Sequence, residues 1–297
     1  MTNHRIRRPA IAAAVALVAI SLVAASCTNP SPPGGFTAKF QATRITNLTF
    51  VGDYPTTFWD PDTAEEPYLI HLGLDVQVSP SIAVKTSVQS TYTNNGNYIG
   101  KVGSGESLAI APGDGLTFSG IQLPDTFDLA NGAPFRLLGS VEFLFERDQL
   151  IPVGVAQLLG PISDLINAAL PPILAKGGLP SDAGGILNYL GTLLPSIFAT
   201  IAGLVGTLIG GLTGGDQFIG VSPDLFIAVG GGLAGFLQGS IPSLIGLINA
   251  ALATQNPNPF PNGLPFTLGV VGQGVATNFG TAPNTSTYRV DYGWNIS

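Results

Sequence analysis

Cysteine, histidine and positive charge are all scarce in this sequence, and each scarcity closes off chemistry. The chain holds one cysteine, Cys27, and two histidines, His4 and His71. A lone cysteine allows no internal disulfide, so the fold must be stabilised by burial and by any ions it binds. Zinc centres built from Cys and His are excluded by count. His71 is the one histidine beyond the N-terminal leader, and neither a Gly-x-Ser-x-Gly elbow nor a second histidine supports it as a catalytic base. It shares the polar side of an alternating strand with Asp75 and Gln77, which reads as a solvated position. Phosphate-loop and dinucleotide fingerprints are also absent. Eleven Lys and Arg, three of them in the leader, stand against eighteen Asp and Glu that all follow it, leaving the body at about −10. That balance argues against nucleic-acid binding and leaves room for divalent cations.

The leader itself is well marked. Arg5, Arg7 and Arg8 form a basic head, Ile11 to Val23 an uncharged apolar stretch, and Ala24-Ala25-Ser26 the small residues a signal peptidase needs. The stretch is short for a membrane span. Val23-Ala24-Ala25-Ser26-Cys27 resembles the lipobox of bacterial lipoproteins, and the resemblance implies lipidation of Cys27 and attachment to the outer face of the cell membrane or the envelope. Cleavage by the ordinary peptidase and secretion is the alternative. Residues 1–26 are thus expected to be a signal peptide. Residues 27–35, rich in Pro and Gly, are expected to be a flexible tether.

Strand-like alternation dominates the first half. Phe36, Ala38, Phe40 and Ala42 alternate with Thr37, Lys39, Gln41 and Thr43, and Tyr68 to Val78 behaves likewise. It returns at Tyr288, Val290, Tyr292, Trp294 and Ile296, so the last strand is expected to pair with the N-terminal sheet. Between them charge nearly vanishes: from 149 to 297 only Asp164, Lys176, Asp182, Asp216, Asp224, Arg289 and Asp291 are charged. The expected fold is mainly β with α insertions, an antiparallel β-sandwich formed by 36–150, 213–232 and 264–297. Apolar helices would be inserted at 151–212 and 233–263.

Acidic side chains cluster in Trp59-Asp60-Pro61-Asp62-Thr63-Ala64-Glu65-Glu66, at Glu146-Arg147-Asp148 and at Gly215-Asp216-Gln217. These pieces resemble the carboxylate-lined loops of C2-like sandwiches in secreted proteins. The resemblance implies a calcium site drawn from Asp60, Asp62, Glu65, Glu66, Glu146, Asp148 and Asp216. A hard ion with six to eight oxygen ligands suits loops converging at one end of a sandwich. Solvated loop carboxylates are the alternative, and paired carboxylates could also serve a secreted hydrolase.

The uncharged stretch from Ala183 to Gly215 repeats large apolar residues at helical spacing, with Ile197, Ile201, Leu204 and Leu208 on one face. It fits a cap on the sandwich, a hairpin entering a bilayer, or the wall of a lipid pocket. The functional expectation is an exported binding or structural module that engages membrane, lipid or another apolar partner, with a hydrolase as the alternative.

Overall fold

Long strands with one apolar face build two sheets. The computed structural model describes residues 35–49, 64–78, 83–87, 99–111, 115–124, 135–146, 164, 167–169, 172, 188–197, 200, 217–253, 266–280 and 286–297. Strand β1 (Phe36–Thr49) buries Ala38, Phe40 and Ala42 on one face. A register shift between Ala42 and Arg44 then moves Ile45 and Asn47 onto that same face. At the shift the Thr43 hydroxyl donates to the Asp291 carbonyl at 3.0 Å.

Ten further strands follow in chain order. They are β2 (Ala64–Glu65) and β3 (Pro67–Val78), β4 (Ala83–Ser87) and β5 (Val102–Gly103), β6 (Ser107–Ala109) and β7 (Leu116–Ile121), β8 (Phe135–Glu146) and β9 (Gln217–Ile227), and β10 (Thr267–Val270) and β11 (Val275–Phe279). The last strand, β12 (Thr287–Ile296), lies antiparallel to β1 from Ala38 opposite Ile296 to Thr49 opposite Thr287, as the aromatic alternation at the C-terminus predicts. The first sheet runs β11-β12-β1, with β6 and β7 sharing the far edge of β1. The second runs β10-β9-β8-β3-β4. A small β2–β5 pair stands apart from both.

The protein is therefore mainly β, but not purely antiparallel, because β9 and β10 pair in parallel. The cause is the helix between them. Parallel neighbours need a crossover, and α2 (Gly231–Ala253) supplies it, following α1 over residues 188–197. α1 buries Tyr189, Leu190, Leu193, Leu194 and Ile197 at spacings of one, three and four, and α2 buries Leu233, Ala234, Leu237, Leu244 and Ile248. Both sets join Tyr68, Ile70, Leu72 and Leu74 of β3 and Val141, Phe143 and Phe145 of β8 in one apolar core.

The opposite face of the second sheet meets the first. Leu69, Leu138, Leu144 and Phe226 pack with Phe40, Leu116, Phe118, Tyr288 and Tyr292 in a second core. The rings of Phe40 and Phe226 lie 4.8 Å apart, and Trp294 meets Phe226 edge-on at 5.0 Å. Three layers result, sheet on sheet on helix, and β3, β8 and β9 of the middle sheet bury side chains on both faces. The turn into β12 uses Gly280 at φ 80°, where any side chain would collide with the Ser286 carbonyl.

Candidate functional site

Glu146 stands opposite Pro67 on β3 and Gln217 on β9, so three of the expected metal ligands, Glu65, Glu66 and Glu146, gather at one end of the second sheet. Their partners differ. The buried Glu65 accepts a 2.6 Å hydrogen bond from the Ser286 hydroxyl, and Glu66 pairs with Lys101 at 3.5 Å. Glu146 is buried as well. Among the described residues no three His, Cys, Asp or Glu side chains are grouped to hold a metal ion. Asp60, Asp62, Asp148 and Asp216 lie outside the described residues, as do Cys27, Ile201, Leu204 and Leu208. Ile197 is fully buried against the second sheet, so this part of the helical block acts as a cap.

His71 is not solvated as its alternating strand suggests. Its polar side faces the other sheet and is buried. Register explains why: His71, Glu142 and Ser222 are consecutive cross-strand partners on β3, β8 and β9, and the next rung on that face holds Gly73, Ser140 and Asp224. Side chains two apart on a strand share a face. The same face carries Leu69, Leu138, Leu144 and Phe226 into the inter-sheet core, so this polar layer sits inside it.

The imidazole Nδ1 of His71 lies against Oε2 of Glu142, and Nε2 has no partner among the described residues. Burial holds the His71 pKa down to about 3, so the ring is neutral at physiological pH. Burial lifts Asp224 the other way, to about 7, with Thr267 offsetting part of the shift through its hydroxyl and amide. Across the gap the Tyr292 phenol is raised well above its ordinary range, first by burial and then by the Asp224 charge. The hydroxyls of Ser140, Ser222 and Tyr292 lack partners among the described residues. Each such group left unsatisfied costs about 1–3 kcal/mol, which makes the layer expensive unless something bonds to it.

Serine, glutamate and histidine in one row invite comparison with a hydrolytic triad, but the order is wrong. A triad needs the imidazole between nucleophile and acid. Here Glu142 lies between Ser222 and His71, and all three are sealed from solvent. One rung or more away, Arg136 forks onto Asp75 at 2.8 and 2.6 Å and donates to the Ser119 carbonyl at 2.9 Å, tying the second sheet to β7 of the first.

A second candidate lies on the outside. α2 carries no charged side chain, and the face away from the sheet presents Phe236 at 44% and Leu247 at 53% exposure. Gly232, Gly235, Gly239 and Gly246 on it open into empty space. Its stretch Gly231–Ala250 is long and apolar enough to cross a membrane by length and composition, as some core helices also are. The outward hydroxyls of the helical layer are turned inward to backbone: Thr192 donates to the Asn188 carbonyl at 3.0 Å, Thr200 to Ser196 at 2.9 Å and Ser240 to Phe236 at 3.0 Å.

Sequence reasoning missed the polar layer entirely. The signal it carries is an isolated acid inside an apolar strand, Glu142 between Val141 and Phe143, and Asp224 just before Leu225-Phe226-Ile227. Comparison with known proteins gave no match: no family model, no curated protein and no solved structure is similar to this chain.

Proposed function

We propose that this chain is an exported module of the bacterial envelope, lipidated at Cys27, which holds a C2-like sandwich at the membrane and engages lipid through its helical layer. It acts by binding rather than catalysis. The observation that carries this reading is the outer face of α2, which is free of charge and shows Phe236 and Leu247 to the surroundings.

Location adds support. The Gly230 amide at the start of α2 bonds to the Pro124 carbonyl, three residues past the end of β7. The end of β7 is also where β1 begins, since Phe36 pairs with Ile121. The tether of residues 27–35 therefore joins the fold at the end where α2 starts. A lipid at Cys27 would bring that end to the bilayer, and two weak membrane contacts on one molecule reinforce each other. Calcium at the acidic end near Glu65, Glu66 and Glu146 belongs to the same proposal as an ordering ion, not as a catalyst. The hydrolase alternative finds less support, because Glu142 and Asp224, two carboxylates on one diagonal of β8 and β9, are both fully buried.

The test is flotation with liposomes. The full chain carrying Cys27→Ser should still bind vesicles of zwitterionic lipid through α2, and adding Phe236→Asp and Leu247→Asp should abolish binding while thermal unfolding stays nearly unchanged. Failure of the Cys27→Ser protein to float at all would remove the helix from the reading.

A further inference from the structure

Two carboxylates and two serine hydroxyls form a quadrilateral inside the sandwich. Glu142 stands opposite Ser222, Ser140 stands opposite Asp224, and each pair of serine and acid on one strand is two residues apart. All four side chains are buried on the face turned to the first sheet. Directly opposed Cβ atoms lie about 5 Å apart and diagonal ones about 7–8 Å. Carboxylate arms from Glu142 and Asp224 on one diagonal can therefore reach a common atom above the square. Tyr292 of the first sheet is buried in the same inter-sheet core as Leu138, Leu144 and Phe226, and its phenol oxygen is buried there.

Arg136, on the same face of β8, is committed to Asp75 and to the Ser119 carbonyl. On the neighbouring strand β3, His71 holds its Nδ1 against Oε2 of Glu142. Among the described residues the hydroxyls of Ser140, Ser222 and Tyr292 are buried without partners. Carboxylates, hydroxyls and a phenol are all oxygen donors. Oxygen-only sets select hard cations, and calcium in particular accepts about six to eight such ligands in irregular geometry.

We infer that Glu142, Asp224, Ser140, Ser222 and Tyr292 form an interior site for one hard divalent cation of the calcium type, enclosed as the two sheets close on each other. This site is separate from the acidic end at Glu65, Glu66 and Glu146, and it does not rest on membrane binding. A cation so enclosed exchanges with folding rather than by diffusion, which makes it a structural ion.

The full chain, purified in detergent, is unfolded in guanidinium with a chelator and refolded with calcium, with magnesium, or with chelator alone. Metal content by mass spectrometry and the melting temperature are read for each. The expected result is about one calcium per chain that survives native dialysis against chelator, with a higher melting temperature than either other sample. Asp224→Asn should lose both effects. The uncharged double change Ser140→Ala with Ser222→Ala, its fold checked by the same thermal unfolding, should lower calcium occupancy at least tenfold at limiting metal. Equal melting temperatures with and without calcium, or a calcium effect that persists in both variants, would overturn the site.

Discussion

Asp224 and His71 titrate in opposite senses inside one polar layer, and pH should separate them. In chelator, where no cation holds Asp224 ionised, burial raises its carboxyl from 3.8 to about 7. The folded state then binds a proton that the unfolded chain releases. Its contribution is fully present below pH 3.8 and is lost as pH rises through 7, a difference of roughly 4 kcal/mol at 1.36 kcal/mol per unit. His71 falls from 6.5 to about 3 by the same burial. Its contribution is present above pH 6.5 and is lost as pH falls towards 3, roughly 5 kcal/mol by the same conversion. Between pH 4 and 6.5 the two slopes oppose and nearly cancel. The assay is urea unfolding followed by tryptophan fluorescence, since Trp294 packs on Phe40, Phe118 and Phe226 and loses those contacts on unfolding. Asp224→Asn should gain about 4 kcal/mol relative to the native sequence between pH 4 and 7, and His71→Gln should gain about 5 kcal/mol relative to it as pH falls from 6.5 to 3. Parallel stability curves for the native protein and Asp224→Asn across this window would refute the buried carboxyl.

Other perturbations test the frame around the layer. Arg136→Met leaves Asp75 buried without its fork and should destabilise by about 3–5 kcal/mol, which chemical denaturation will read directly. Phe40→Ala empties the meeting point of Phe226, Tyr292 and Trp294 and should cost about 3–5 kcal/mol in the same measurement. Cys27→Ser should shift the exported protein out of the membrane pellet when α2 also carries Phe236→Asp, and intact-mass analysis of the native chain should show a lipid on Cys27. An unmodified N-terminal cysteine would contradict the anchor.

Much of the β framework was legible because period-two alternation survives wherever one strand face is apolar. Phe36 to Ala42 and Tyr288 to Ile296 are such strands, and they pair. The middle sheet misled for a physical reason. In β3 the polar positions His71 and Asp75 suggest a wet face, yet that face meets the first sheet and the apolar one meets the helices. Polarity marks solvent only where a face meets solvent, and at His71 and Asp75 the face is buried against the other sheet. The parallel β9–β10 pair was hidden for a related reason, since local sequence specifies a strand but not the direction in which a crossover returns it. Glu142 and Asp224 escaped notice because acids in loops draw attention as ligands, whereas single acids within apolar strands look like interruptions.

The helical layer's membrane contact is the central claim, and the most direct measurement of it compares two neighbouring residues of α2. Phe236 points away from the sheet and Leu237 is fully buried beneath it. In the Cys27→Ser background, Phe236→Asp should leave the melting temperature within a few degrees while abolishing flotation with zwitterionic liposomes. Leu237→Asp should instead unfold the protein by burying an unpaired charge. Vesicle binding undiminished by Phe236→Asp in a folded protein would contradict the account.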